Sequence, residues 1–326
     1  YDVTVYERKS MAGGLDTYGM AEYKMSQAVS QAEVDQVAKL GVKFLLNTEV
    51  STGSVSPAKT GELKWPIEKE TPAASETLAL QSVAFSDLQQ WHDAVFLGVG
   101  LGDTNKLGIP GEDLEGVYDA LKFIERIKAR DWKSVPLGNT VAVVGAGNTA
   151  IDAVTQAKRL GAARVIMVYR RGEKDIPAYA YEYELAKKDG VEFIWQSAPI
   201  GILSDEANQK VTALRCEKSD GSLQIFEIPC DMIIKAVGQQ KMRSFFESVA
   251  GVKTDEKGRV IVNDSMQTSN AKVFAGGDCA NGGAEAVDAS QMGKLAAQAI
   301  HESLTGEQIG FAGSRVPEIQ TNENRH

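Results

Sequence analysis

Gly145, Gly147 and Ala150 stand at the spacing G-x-G-x-x-A, directly after the apolar run Val141–Val144 and at the head of an amphipathic stretch of helical period. Between a strand and a helix, each of these small residues has a chemical use. Gly145 permits the tight turn, Gly147 lets the backbone approach a pyrophosphate, and Ala150 lets helix and strand pack closely. The anion is left at the helix N-terminus, where backbone N–H groups and the helix dipole favour negative charge. Asn148 and Thr149 belong to the same loop. A second strand, Arg164–Tyr169, ends in Arg170 and Arg171, about 25 residues past Gly145, where this unit reads the ribose. An NAD site places Asp or Glu there, whereas guanidinium groups suit a 2′-phosphate, so NADPH is favoured over NADH. Ile233–Gly238 is a further apolar strand ending in glycine, and it adds Ala236 and Gly238 to the candidate NADPH set.

Few other residues are spaced for chemistry. Cys216, Cys230 and Cys279 are far apart and form no C-x-x-C pair, so neither a disulfide framework nor a thiol redox centre is expected. His92, His301 and His326 have no second ligand at metal spacing, so no metal site is expected. No catalytic side chain is assigned. In 326 residues the hydrophobic share is 43% and the charged share 24%, the balance of a globular enzyme of two ordinary domains. A formal net charge of −9 argues against nucleic acid as a partner. No apolar run is long enough for a membrane span and no secretory signal is seen, so a cytoplasmic location is expected.

The elements that must position these residues can be read in order. An alternating strand from Tyr1 ends in Glu7, an acidic ribose-site residue of another dinucleotide-binding unit, and runs into Gly13 and Gly14. Its own first strand and glycine loop are expected about 30 residues upstream. Gln27–Leu40 reads as a helix, Val42–Leu46 as a strand, and Ser51 to about Thr77 as an irregular insertion or long hairpin. Ala94–Gly100 reads as a buried strand closing a dinucleotide-binding half, its Gly98 and Gly100 allowing close backbone passage beside a cofactor. Leu107–Asp113 is a Pro/Gly turn suited to crossing between domains. Val191–Trp195 is the third strand of the intact unit, with a hairpin across Val211–Ile228. Val273–Ala275 is a short strand leading into Gly276, Gly277 and Asp278, then a helix from near Ala284, and the tail after about Ser303 is polar. The expected class is therefore α/β, with two Rossmann-like dinucleotide-binding domains, the second inserted into the first. The boundaries are 1–106 with 240–305 for the outer domain, 107–239 for the inserted NADPH domain, and 306–326 for the tail.

The ordered set YERKSMAGGLDTYGMAEYKM, AVFLGVGLG, LGIPGEDLEGV, VVGAGNTAIDA, VYRR and VFAGGDCANGG resembles the flavin- and NADPH-binding module of one family. That family holds the glutamate synthase small subunit and the N-terminal half of dihydropyrimidine dehydrogenase. AGGLDTYGMAEYKM and FLGVGLG with FAGGDCANGG look most like the bacterial dihydropyrimidine dehydrogenase small subunit. The resemblance implies FAD in the outer domain, with Glu7 on the adenosine ribose and Gly13, Gly14 and Leu15 near the cofactor centre. It also implies Lys24 near a phosphate, Val50 at the adenine and Gly100 at the middle. Gly277 and Asp278 would lie beside the ribityl or pyrophosphate part, and Glu285, Ala286 and Val287 at the helix aimed at the flavin. The expectation is that this chain is an N-terminally truncated piece, since the FAD glycine loop and the cysteine-rich iron–sulfur domain of the family are absent from it.

The implied activity passes hydride from NADPH to FAD and electrons onward to iron–sulfur clusters in the missing region or in a partner. Cofactors carry such chemistry, so the scarcity of His and Cys suits it. An electron-accepting large subunit is the expected partner, in a hetero-oligomer. Two alternatives stand beside the dihydropyrimidine dehydrogenase reading: a glutamate synthase small subunit, and a non-catalytic nucleotide-binding scaffold.

Overall fold

The computed structural model describes residues 1–52, 80–129, 132–205, 207 and 209–309. Most of the insertion expected over Ser51–Thr77, the tail from residue 310 and His326 lie outside them. In chain order the elements begin with β1 (Thr4–Tyr6), α1 (Gly14–Tyr18), α2 (Gln27–Lys39), β2 (Lys43–Leu45) and β3 (Thr48–Ser51). Next come β4 (Gln81–Ala84), α3 (Phe85–Trp91), β5 (Val95–Leu97), β6 (Val117–Asp119), α4 (Ala120–Lys128), β7 (Thr140–Val144), α5 (Asn148–Leu160) and β8 (Arg164–Val168). They are followed by α6 (Ala180–Lys188), β9 (Glu192–Ile194), β10 (Ser197–Ser204), β11 (Val211–Lys218), β12 (Ile225–Pro229) and β13 (Met232–Lys235). The last are α7 (Arg243–Glu247), β14 (Val273–Ala275), α8 (Asp278–Asn281) and α9 (Ala286–Thr305).

By their internal contacts the described residues divide into two compact units, one holding Tyr1–Glu49 and residues from 102 to 240, the other Ser82–Leu101 and residues 241–309. The sequence reading groups residues 1–106 with 240–305 instead. The first segment joins the middle one through polar contacts. Lys128 of α4, fully buried, donates to the carbonyls of Asp16 and Met25, and Lys9 pairs with Glu125 of α4 at 2.7 Å.

The first unit is built on a five-stranded sheet of order β6-β13-β7-β8-β9, its pairs all parallel. A parallel sheet must be covered on both faces, which is why its strands read as continuous apolar runs. Alternate residues take opposite sides. Val141, Val143, Val165, Met167 and Ile234 pack on Phe123, Ile127, Ile151, Val154 and Ala157 of α4 and α5. Ala142, Val144, Ile166, Val168 and Ile233 pack on Ile202, Leu214, Cys216 and Ile228 from the antiparallel sheet β10-β11-β12. The hairpin expected over Val211–Ile228 is thus two strands of a three-stranded meander that covers one face of the core. Truncating a core side chain such as Ile166 to alanine would cost about 2–5 kcal/mol.

Helix α5 lies close to the sheet because its buried face carries Ala150, Ala153 and Ala157, and it ends at Gly161, a left-handed residue with φ 109°. Sequence reasoning missed β6 and α4. The signal was present: Ala120, Phe123, Ile124 and Ile127 recur at helical spacing and all are buried.

In the second unit β5 pairs in parallel with β14, Val95 opposite Val273 and Leu97 opposite Ala275. The whole five-stranded sheet falls between these partners in the chain, which is the topology of an inserted domain. The strand expected to be buried over Ala94–Gly100 needs correction: β5 spans Val95–Leu97, and in a two-stranded ladder its Phe96 is left 39% exposed. Phe274 and Met266 pack with Ala296 of α9, flanked by Met292, Leu295 and Ile300. α9 starts at Ala286, later than Ala284, because Glu285 and Asp288 form a reciprocal capping box at its head. Among the described residues no helix is long and apolar enough to cross a membrane.

Candidate functional site

The C-terminal ends of β7, β8 and β13 converge on Gly145. Its N–H donates to the Val168 carbonyl at 3.0 Å, and its φ is +128°. A Cβ on Gly145 would lie 2.2 Å from the carbonyl oxygen of Ala236, so only glycine fits between these strand ends. Ala236 is held there by its own N–H, which donates to the Val144 carbonyl at 2.8 Å. Gly147 differs, since nothing lies within 4 Å of where its Cβ would be. It is the N-cap of α5, and among the described residues no side chain caps the helix there. Ala150 is fully buried against the core.

Thr149 is half-buried in the first turn of α5. Asn148 spends its side chain on structure, its Oδ1 accepting the Tyr179 N–H at 3.1 Å and so fixing the entry to α6. Gly238, at φ +81°, has its carbonyl taken by the Asn105 N–H at 2.9 Å.

Arg170 and Arg171 follow β8 directly, and both are exposed. Their backbone is pinned, because Gln196 donates its N–H to the Arg171 carbonyl at 2.9 Å and Ser197 donates to that of Tyr169 at 3.0 Å. Among the described residues no ion pair engages either guanidinium, which leaves both available to an anion. The structure therefore brings the glycine loop, the open head of α5 and the arginine-bearing strand end together in one unit.

One feature beside this loop went unread in the sequence. Lys235, the last residue of β13, lies 2.9 Å from Glu112 and 3.2 Å from Asp119, with all three side chains largely buried. Glu112 also accepts the N–H groups of Leu107 and Gly108 at 2.8 and 2.9 Å, which folds the Leu107–Asp113 turn around one carboxylate. Burial opposes ionisation of Glu112, but these hydrogen bonds and Lys235 outweigh it and hold the carboxyl below its ordinary range.

The residues assigned to FAD fall in both units. In the first, Glu7 follows β1 and its Oε1 accepts the Lys9 N–H at 2.8 Å. Gly13 has φ +112°, and a Cβ there would meet Thr17 Oγ1 at 2.2 Å. Gly14 at φ +54° faces open space, and Leu15 is 41% exposed. The Lys24 ammonium, expected at a phosphate, lies 2.6 Å from Asp152 of α5 and 2.7 Å from Glu182 of α6. In the second unit, Val50 is half-buried in β3. Gly100 has φ +66° and open space around it. Gly277, at φ 70° and ψ −155°, occupies backbone space open essentially to glycine alone. Asp278 opens α8 and accepts the Ala284 N–H at 3.2 Å. Glu285 caps α9, and Ala286 and Val287 form its exposed first turn.

A parallel α/β sheet ending in an anion-ready glycine loop, with a second unit whose segments lie on either side of it in the chain, defines a dinucleotide-binding oxidoreductase. The pyridine nucleotide-disulphide oxidoreductase family matches residues 68–293, and the chain belongs to that family of NAD(P)H-dependent flavin enzymes. It is 31% identical to the glutamate synthase [NADPH] small chain of Escherichia coli (strain K12), over 91% of this chain and 62% of that one. It is 29% identical to the NADP(+)-dependent formate dehydrogenase subunit beta of Moorella thermoacetica, over 93% of this chain and 41% of that one. The chain thus spans less than two thirds of the length of each of these relatives. In fold it is similar to T. acidophilum thioredoxin reductase, with a TM-score of 0.65 at 18% identity, covering 93% of this chain and 90% of that one. It is also similar to Mycobacterium tuberculosis FprA in complex with NADPH, with a TM-score of 0.63 at 18% identity, covering 95% and 80%.

Proposed function

We propose that this chain is the NADPH-accepting flavin module of a multi-subunit oxidoreductase. The observation that carries the reading is the juxtaposition at the ends of β7 and β8. Gly145 is wedged against Ala236, Gly147 leaves the head of α5 open, and Arg170 and Arg171 stand exposed at the neighbouring strand end. In this reading the N–H groups at the head of α5 bind the pyrophosphate, the two guanidinium groups bind the 2′-phosphate, and Ala236 and Gly238 bound the nicotinamide side. NADPH and FAD, when bound, supply the redox chemistry. The chain's own residues bind and orient them and exclude water, and no side-chain base is required.

The FAD assignment is part of the proposal, with residues 1–106 and 240–305 as the flavin domain and 107–239 as the NADPH domain. Gly13 and Gly277 support it through backbone conformations that side chains rarely adopt. Lys24 could join it only by exchanging Asp152 and Glu182 for a phosphate.

Electrons would then leave for iron–sulfur clusters outside this chain and for a larger partner subunit. The order of motifs favours a dihydropyrimidine dehydrogenase type of partner. The similarity to the E. coli glutamate synthase small chain supports the second reading. Co-purification of the partner, followed by assay with uracil or with glutamine plus 2-oxoglutarate, separates them.

The test of the module itself is direct. Wild-type chain should bind NADP+ more tightly than NAD+ in calorimetry. Replacing Arg170 and Arg171 with alanine should weaken NADP+ by about a hundredfold or more, since each of the two lost charge-assisted hydrogen bonds is worth about 1.5–3 kcal/mol, and leave NAD+ unchanged. Equal affinities before and after would refute it. A visible spectrum showing flavin bleached by NADPH would exclude the scaffold reading, and a colourless chain would exclude autonomous catalysis.

A further inference from the structure

The loop after the two arginines contains two carboxylates, in the run Arg170-Arg171-Gly172-Glu173-Lys174-Asp175. An acidic group at this place is the usual competitor of a 2′-phosphate, because carboxylate and phosphate seek the same guanidinium fork. In the structure both carboxylates have partners other than the arginines. Asp175 Oδ2 accepts the Gly172 N–H at 3.1 Å and closes the short helical turn Glu173–Asp175. Glu173 Oε1 accepts the hydroxyl of Tyr183, from the neighbouring helix α6, at 2.5 Å. Tyr183 has little freedom to release it. The residue is 8% exposed, and its ring stands edge-on to Phe193 at 4.9 Å and to Trp195 at 5.9 Å. Lys187 covers the ring at 4.2 Å.

We infer that Tyr183 is a specificity-determining residue which clasps Glu173 and so keeps Arg170 and Arg171 open to the 2′-phosphate. The inference rests on the proposed role of the two arginines. Without the hydroxyl, Glu173 is two residues from Arg171 on an exposed turn. It would then pair with a guanidinium or repel the incoming phosphate, and either lowers NADPH affinity. NADH, lacking the phosphate, would not feel the change. The phenylalanine variant isolates this effect because it keeps the ring and its aromatic contacts.

Calorimetric titration of the full chain with NADP+ and with NAD+ tests the inference on wild type, Tyr183→Phe, Glu173→Gln and the double variant. Tyr183→Phe should weaken NADP+ about three- to fivefold, the scale of one exposed charge interaction, while NAD+ is unchanged. The double variant should return to the wild-type ratio, because no free carboxylate remains. An unchanged ratio in Tyr183→Phe overturns the clasp. So does a loss that Glu173→Gln fails to rescue, since that would be structural. If the double arginine variant binds both nucleotides as wild type does, the 2′-phosphate reading itself falls, and the clasp with it. Discrimination that depends on the arginines but not on Tyr183 removes the clasp alone.

Discussion

The Lys24 ammonium sits 2.6 Å from the Asp152 carboxylate, and Glu182 approaches the same ammonium at 2.7 Å. Two carboxylates, each about 5% exposed, thus share one cation. Asp152 also accepts the Ala21 N–H and the Tyr23 hydroxyl, so the segment after α1 is tied to α5 through one side chain. Burial holds the Asp152 carboxyl above its ordinary range in spite of Lys24, and among the described residues one Glu182 oxygen has no hydrogen-bond partner. Lys24→Met strands both charges and should cost about 3–5 kcal/mol in chemical denaturation. Asp152→Asn relieves the excess negative charge and keeps an acceptor, so it should cost less than half as much. Equal costs would show that the triad is not short of positive charge.

Gly145 and Gly147 should separate folding from binding. Gly145→Ala forces a Cβ to 2.2 Å from the Ala236 oxygen at φ +128°, and overpacking with backbone strain should cost about 2–6 kcal/mol of stability. Gly147→Ala meets open space at φ −81° and should leave the melting temperature nearly unchanged. NADP+ affinity should nevertheless fall, because the methyl group occupies the space proposed for pyrophosphate. Full binding by Gly147→Ala would move the anion elsewhere.

Glu112 sets an acid limit. Its folded carboxyl is held below the ordinary range, so the stability it contributes is complete above about pH 4.3, the unfolded value. That contribution is lost as pH falls through the lower folded value. Glu112→Gln should be less stable than wild type at pH 7, and the gap should narrow on acidification below about pH 4. A gap independent of pH would mean that only the shape of the Leu107–Asp113 turn matters.

The thiols should be silent in the native chain. Burial pushes Cys216 and Cys230 up to about 12 and Cys279 up to about 11, and all three are buried and free. At pH 8 an alkylating reagent should modify none until denaturant is added. Rapid native labelling of any one would contradict its packing.

Much of this protein was legible from residue order because the signals were local. Val141–Arg171 announces strand, glycine turn, helix and selector arginines, since side-chain periodicity and the demand for glycine at Gly145 act over a few residues. The helix at Gln27 and the strands at Thr4, Lys43, Val95 and Val273 were placed within a few residues for the same reason. The edge pair β6–α4 is marked in the sequence only by the helical spacing of Ala120, Phe123, Ile124 and Ile127.

What residue order could not show was partnership at a distance. That β5 pairs with β14 joins Val95 to Val273. That Lys24 faces Asp152, that Lys235 clasps Glu112 and that Tyr183 holds Glu173 are likewise contacts between separate elements. Local periodicity assigns a residue to a buried or open face, but not the side chain it will meet there. That choice belongs to chain closure and packing, where a buried charge must find a partner from whichever element the fold brings beside it.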